Sequence, residues 1–221
     1  MTSQQKTAFI ETMLAADVLR FGDFITKSGR QTPYFINTGN YKTGGQIAAL
    51  GRFYAAQVHE TCGGDFTALF GPAYKGIPLV TATAAALATD FGVDRPFFFN
   101  RKEVKDHGEG GTLVGYQPAD GDRLLIIEDV ITAGTATRET MPLLRACGQV
   151  SVSDMFISVD RCETGRTPGK TAVMEVREEF GIAVHALVTV RDIYNYLRES
   201  GKFADMLPRM EAYMDTYCIF D

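Results

Sequence analysis

Cysteine is scarce and dispersed in this sequence. Cys62, Cys147, Cys162 and Cys218 stand far apart, and none belongs to a C-x-x-C pair. In a chain of 221 residues this argues against a disulfide framework and predicts reduced thiols in a cytoplasmic protein. His59 and Cys62 have H-x-x-C spacing, but nothing beside them completes a tetrahedral metal site, so no metal ligands are read from the sequence. An excess of positive charge is also missing. Lys and Arg number 22 against 27 Asp and Glu, a net charge of -5. Such a surface disfavours nucleic acid and anionic membrane as partners. There is no long apolar run: the longest low-charge stretch, 76–89, is Ala- and Thr-rich and too short to span a bilayer. Residues 1–6 are polar and lack the apolar core of a secretory signal. No G-x-x-x-x-G-K-[ST] loop occurs, and no G-x-G-x-x-G follows a strand, which removes the commonest nucleotide fingerprints. Internal repeats and low-complexity linkers are absent as well.

What is present is an alternation of strand and helix patterns. Phe9, Ile10, Met13 and Leu14 share a helical face, and short strands over 19–37 turn at Ser28-Gly29-Arg30. Ile47, Leu50, Phe53, Tyr54 and Val58 mark a second helix, stopped by Gly63-Gly64. Strands are then predicted at 66–70, 95–100, 124–127, 150–160 and 182–190. Helices are predicted up to Asp90 and at 135–146, 172–180 and 191–200. Pro142 should kink the helix it falls in or delay its start. Residues 101–111 break the alternation as a polar loop. The pattern predicts an α/β fold with a mostly parallel central sheet flanked by helices. One domain is expected over 1–221, with a small α+β cap at about 1–62, a core at 63–200 and a C-terminal helical extension at 201–221.

Ligands of such sheets lie beyond the carboxyl ends of the strands. The run Leu124-Leu125-Ile126-Ile127-Glu128-Asp129-Val130-Ile131-Thr132-Ala133-Gly134-Thr135-Ala136 is the most informative segment there. A buried strand ends in two carboxylates, and a small-residue turn then opens a helix. Free N–H groups at a helix start cradle an anion. The carboxylates suit sugar hydroxyls or a nearby cation. Together they fit a phosphorylated sugar, although a strand followed by acids and a Gly turn is also ordinary βα chemistry. The loop Gly71-Pro72-Ala73-Tyr74-Lys75-Gly76 brings Lys75 as a point charge for pyrophosphate, or is merely a tight turn. Residues 101–111 hold Arg101, Lys102, Lys105 and His107 among glycines, without an apolar face. They read as a mobile lid over a charged substrate, or as a solvated loop. Lys27 beside Phe35 could hold an anionic planar base, and Arg161 could bind a carboxylate or form a structural ion pair.

The 124–136 run resembles the phosphoribosyl pyrophosphate signature of the type I phosphoribosyltransferases. With it, the segments 27–35, 71–79 and 101–108 resemble the orotate phosphoribosyltransferases of that family, in the family's order and approximate spacing. The likeness runs from about residue 9 to about residue 200. It implies the type I phosphoribosyltransferase fold with an N-terminal hood. The implied activity is transfer of 5-phosphoribosyl from phosphoribosyl pyrophosphate to orotate in UMP biosynthesis, giving orotidine 5'-phosphate and pyrophosphate. It implies Mg²⁺ held mainly by substrate oxygens, and a homodimer sharing the 101–111 lid across its interface. By the same likeness Lys27, Tyr74, Lys75, Arg101, Lys102, Lys105 and His107 contact phosphoribosyl pyrophosphate. Glu128 and Asp129 hold its ribose, and Val130, Ile131, Thr132, Ala133, Gly134, Thr135 and Ala136 cradle its 5'-phosphate. Lys27, Phe35, Ile36, Thr132 and Arg161 take orotate. Lys102, Lys105, His107 and Asp129 are the implied catalytic residues. Ile36 stands where an aromatic is frequent, and Glu128 where an Asp is often seen. Two other readings are a transferase acting on a purine or uracil, and a nucleotide-sensing regulator of nucleic acid. The regulator would need a basic face, which this acidic chain lacks.

Overall fold

Alternation along single strands sets the two faces of the central sheet. Leu124 and Ile126 point to one side and Leu125 and Ile127 to the other, and all four are fully buried. The computed structural model describes residues 1–26, 29–105, 111–131 and 134–220; for residues 103–105 and 111 it describes the backbone alone. The chain runs through α1 (Ser3–Ala15), β1 (Leu19–Ile25), β2 (Gln31–Ile36), α2 (Gly44–Cys62), β3 (Ala68–Gly71) and α3 (Gly76–Phe91). It continues through β4 (Phe97–Lys105), β5 (Gly111–Gly115), β6 (Arg123–Ile127), α4 (Thr135–Arg145) and β7 (Ser151–Asp160). The last elements are α5 (Ala172–Phe180), β8 (Ala183–Thr189), α6 (Val190–Ser200) and α7 (Leu207–Tyr217).

Six strands form the main sheet in the order β5-β4-β3-β6-β7-β8. All pair in parallel except β4 with β5, so the sheet is mostly parallel, as the strand–helix alternation predicts. One face is covered by α1, α2, α3, α6 and α7 over Leu69, Leu125, Phe156 and Leu187. The other is covered by α4 and α5 over Phe70, Phe98, Met155 and Ile157. A fully buried Leu or Phe of this kind contributes about 1.5–3 kcal/mol relative to exposure. The separate antiparallel pair β1–β2 lies outside this sheet. By contrast α1 and α2 belong to the main core through Phe9, Ile10, Met13, Leu50 and Tyr54.

One local expectation is corrected, and for Pro142 one of two alternatives is ruled out. Residues 101–105 are not a loop: they prolong β4, and Lys105 pairs with Gly111 at the start of β5. A strand that projects past the core needs backbone partners but no apolar face, so its composition hides it. The register shifts between Asn100 and Lys105, and β5 forms the sheet edge. Helix α4 starts at Thr135 and runs through Pro142, so the proline does not delay it. Its face is held by buried Met141 and Leu144, and tertiary packing outweighs the local cost of proline. No helix among the described residues is long and apolar enough to cross a membrane.

Candidate active site

Strand β6 delivers its two carboxylates to the sheet's carboxyl edge. The Glu128 N–H donates to the Phe156 carbonyl at 2.9 Å, and the Ser158 N–H and hydroxyl both donate to the Asp129 carbonyl at 2.8 Å. These bonds pin the segment to β7 and fix where the acids point. Asp129 is only 4% exposed. Its Oδ2 accepts from the Thr38 hydroxyl at 2.7 Å and from Lys75 Nζ at 2.9 Å. Its Oδ1 is buried with no hydrogen-bond partner among the described residues. A buried acceptor in that condition costs about 1–3 kcal/mol. Such a group calls for an explanation, and at the carboxyl end of a strand beside Lys75 a ligand supplies one.

Burial pushes the Glu128 carboxyl up to about 7. The Asp129 N–H, which donates to Glu128 Oε1 at 2.9 Å, opposes this; the Asp129 charge adds to it, and Lys75 opposes it. Glu128 therefore changes charge near neutral pH. Tyr54 from α2 donates its hydroxyl to the Glu128 carbonyl at 2.7 Å, and the buried hydroxyl of Tyr41 is raised by burial and by the Asp129 charge.

The loop after β3 approaches from the side. A Cβ on Gly71 would lie 2.3 Å from the Gly76 carbonyl oxygen, and one on Gly76 would lie 2.7 Å from Pro72 Cδ. Only glycine at both positions lets the loop close this tightly. Asn100 of β4 accepts the Ala73 N–H at 2.8 Å, and the Ala73–Tyr74 peptide is cis. Tyr74 is 63% exposed, with Lys102 Nζ 5.2 Å from its ring centroid. Next to this loop lies a cavity of about 360 Å³ lined by Pro72, Ala73, Arg101, Lys102, Ala136 and Thr140. Gly134 caps α4 with φ 67, a left-handed conformation, and the helix opens at Thr135 and Ala136, both exposed. Val130 bridges to Val159, and Ile131 is buried in the core beneath the helix start.

The remaining candidate residues lie on the β1–β2 hairpin and just after the end of β7. Phe35 stacks on Phe24 at 5.4 Å, with the Arg20 guanidinium 5.6 Å from its centroid, and Ile36 packs on the main core. Arg161 does not stand free. Its Nε donates to Glu163 at 2.7 Å and its Nη2 to the Tyr213 hydroxyl at 3.2 Å, while its guanidinium lies 4.4 Å from the Tyr34 ring centroid. Glu163 also accepts from Arg30 Nη1 at 2.8 Å and from the Tyr213 hydroxyl. Of the two readings for Arg161, the ion pair is the one formed here.

The structure thus brings Lys75 and Asp129 into direct contact, sets Glu128 beside them, and places Tyr74, Arg101 and Lys102 around the adjoining loop. Lys27, His107, Thr132 and Ala133 lie outside the described residues, and the Lys105 side chain does too. Thr38, Tyr41 and Tyr54 were not foreseen. Their partner is 91 positions away in the case of Thr38, so no local pattern announces them. Among the described residues no group of three or more His, Cys, Asp or Glu could hold a metal ion. The oxygens of Asp129 and Glu128 nevertheless fit a hard cation whose other ligands come from a substrate.

Comparison with known proteins follows the same line. A profile of the phosphoribosyl transferase domain matches residues 37–174. The orotate phosphoribosyltransferase of Clostridium acetobutylicum is 52% identical over 194 residues, covering 88% of this chain and 86% of that one. The enzyme of the same name from Yersinia enterocolitica is 50% identical over 210 residues, covering 95% and 96%. Among solved structures, the orotate phosphoribosyltransferase of Francisella tularensis superposes with a TM-score of 0.85 at 35% identity, covering 96% of this chain and 100% of that one.

Proposed function

This chain belongs to the orotate phosphoribosyltransferases, and from that premise we propose how its own residues carry the transfer of 5-phosphoribosyl from phosphoribosyl pyrophosphate to orotate. The observation that carries the reading is Asp129: a buried carboxylate just past a strand end, one oxygen held and the other without a partner among the described residues, six positions before a helix start. A polar sugar face answers that unpartnered acceptor. Asp129 and Glu128 accept the ribose hydroxyls. The segment Val130–Ala136 cradles the 5'-phosphate with the free N–H groups of the first turn of α4. Lys75 leaves Asp129 for the pyrophosphate as sugar hydroxyls replace it.

The anomeric carbon gains oxocarbenium-like charge as the pyrophosphate departs. Catalysis therefore stabilises the departing anion, and Lys102, Lys105 and His107 supply positive charge there, with Tyr74 and Arg101 beside them. Orotate is already an anion, so its attacking ring nitrogen needs no strong general base. Lys27, Phe35, Ile36, Thr132 and Arg161 orient it, with Glu163 and Tyr213 holding Arg161 in place. Mg²⁺, held mainly by substrate oxygens with Asp129 and Glu128 facing it, would supply charge neutralisation for the departing pyrophosphate. We place the enzyme in the cytoplasm as a homodimer, with residues 101–111 acting across the interface, and, of residues 1–62, treat the β1–β2 hairpin as the hood over the core.

Loss of orotate absorbance, followed with and without phosphoribosyl pyrophosphate and Mg²⁺, tests the reading. Consumption should require both. Competition among orotate, uracil, adenine and hypoxanthine should leave orotate strongly preferred, and equal use of uracil would overturn the assigned base.

A further inference from the structure

The start of α4 receives one more side chain, from a loop that the transfer mechanism has not used. Arg166 Nη2 donates to the Thr135 hydroxyl oxygen at 3.1 Å. Thr135 is the first residue of α4 and is exposed. The loop carrying Arg166 is anchored from below by Glu175 of α5, which is 7% exposed. Glu175 Oε1 accepts the Thr167 N–H at 2.6 Å, and the Arg166 backbone also donates to this carboxylate. A Cβ on Gly165 would come within 3.0 Å of the same carboxylate, so the loop sits directly on it. The Gly165 N–H donates to the Lys170 carbonyl at 2.7 Å, which closes the loop on itself. Arg138 of α4 is spent on this platform: its Nε donates to Glu179 at 2.7 Å, and its Nη2 forms an ion pair with Glu175 at 3.5 Å. Arg166 is thus presented by a fixed backbone to one particular hydroxyl.

A hydroxyl has one hydrogen and two lone pairs. When a guanidinium occupies a lone pair, the hydrogen turns away from the cation. At this position it turns toward whatever anion the helix start holds. We propose that Arg166 is a positioning residue for the 5'-phosphate: by occupying one lone pair it sets the Thr135 hydroxyl as a donor toward the anion. This inference rests on the placement of the 5'-phosphate at the start of α4.

Binding of ribose 5-phosphate to the full-length enzyme, measured by calorimetry, separates the two ideas. Thr135→Val should weaken it about 10-fold, the worth of one hydrogen bond to a charged group. Arg166→Ala should weaken it by a similar factor, and the double variant should be no weaker than the poorer single variant, because both act through one hydroxyl. Arg166→Lys should recover most of the loss. In turnover assays Arg166→Ala should raise KM for phosphoribosyl pyrophosphate and leave kcat and KM for orotate unchanged. Thermal unfolding checks that each variant folds, with Thr135→Ala replacing the valine if that one does not. If neither Thr135 variant alters binding, the phosphate does not lie at this hydroxyl and the underlying placement fails. If a Thr135 variant weakens binding and Arg166→Ala does not, the placement stands and the role of Arg166 is overturned. Multiplying penalties in the double variant would equally overturn it, since Arg166 would then act independently of Thr135.

Discussion

Two buried aspartates on neighbouring strands meet opposite conditions. Asp154, within β7, is 8% exposed and has both oxygens engaged: Oδ1 with His185 Nε2 at 2.8 Å and Oδ2 with Arg123 Nη2 at 3.4 Å. Burial alone would raise its carboxyl. Hydrogen bonds from Ser153 and His185, the His185 charge and Arg123 together hold it below the usual carboxylate range. Asp129, just beyond β6, keeps one oxygen without a partner among the described residues and shares a lysine that is itself more than half exposed. The first acid is complete within the chain. The second is completed by something that arrives. Burial therefore does not tell a structural carboxylate from a working one; what sets Asp129 apart is an unengaged oxygen at the sheet's carboxyl edge beside a half-exposed lysine.

Substitutions can break that contrast. The largest expected effect comes from a cation that the proposed mechanism assigns to the departing pyrophosphate: Lys105→Ala should lower kcat by about 10²–10³ while affecting affinity less. Steady-state kinetics checks this, and an unchanged kcat removes Lys105 from the mechanism. Asp129→Asn should weaken phosphoribosyl pyrophosphate binding by about 10–100-fold, read by calorimetry, with little loss of thermal stability. Intact affinity would contradict the ribose contact.

Asp154→Asn should do the reverse. It should cost about 1–3 kcal/mol of stability in denaturant melts and leave the kinetic constants alone. Because the folded carboxyl of Asp154 lies below its unfolded value, its contribution is present above the unfolded pKa and fades as acid protonates the folded form. Asp154→Asn should therefore flatten the acid limb of the stability profile. Glu128 has the opposite sign. Its folded value of about 7 exceeds the model-compound 4.5, so ionising it costs stability progressively between those values, and the cost stays constant above them. Glu128→Gln should accordingly gain up to about 3 kcal/mol over the parent at pH 8 and nothing at pH 4. Equal melts at both pH values would show that Glu128 titrates normally.

The periodic elements were legible from residue order alone. Helix α5 lies at 172–180 and α6 within a residue of 191–200, because each has a Thr cap, an apolar stripe and a terminal glycine. The acids at the end of β6 were legible too, since four apolar residues followed by two charges can hardly do anything but leave a core. Thr38 on Asp129, Tyr54 on the Glu128 carbonyl and Arg30 on Glu163 were not. Each joins segments more than 70 positions apart, and such meetings follow from how the sheet and hairpin pack rather than from any local motif. Strand β5 was missed for a different reason. It lies at the sheet edge, where partly exposed Leu113 and Val114 carry only a weak pattern.

Residues 213–219 are stitched to the turn behind β7. The Thr164 N–H donates to the Tyr217 carbonyl, the Ile219 N–H to the Cys162 carbonyl, and Tyr213 reaches both Arg161 and Glu163. If Arg161 orients orotate as proposed, that seam couples the tail to base selection. An affinity tag fused after residue 220, or a few residues trimmed before it, would then pull on the Arg161 guanidinium, and such a handle should be judged by substrate preference as well as by yield.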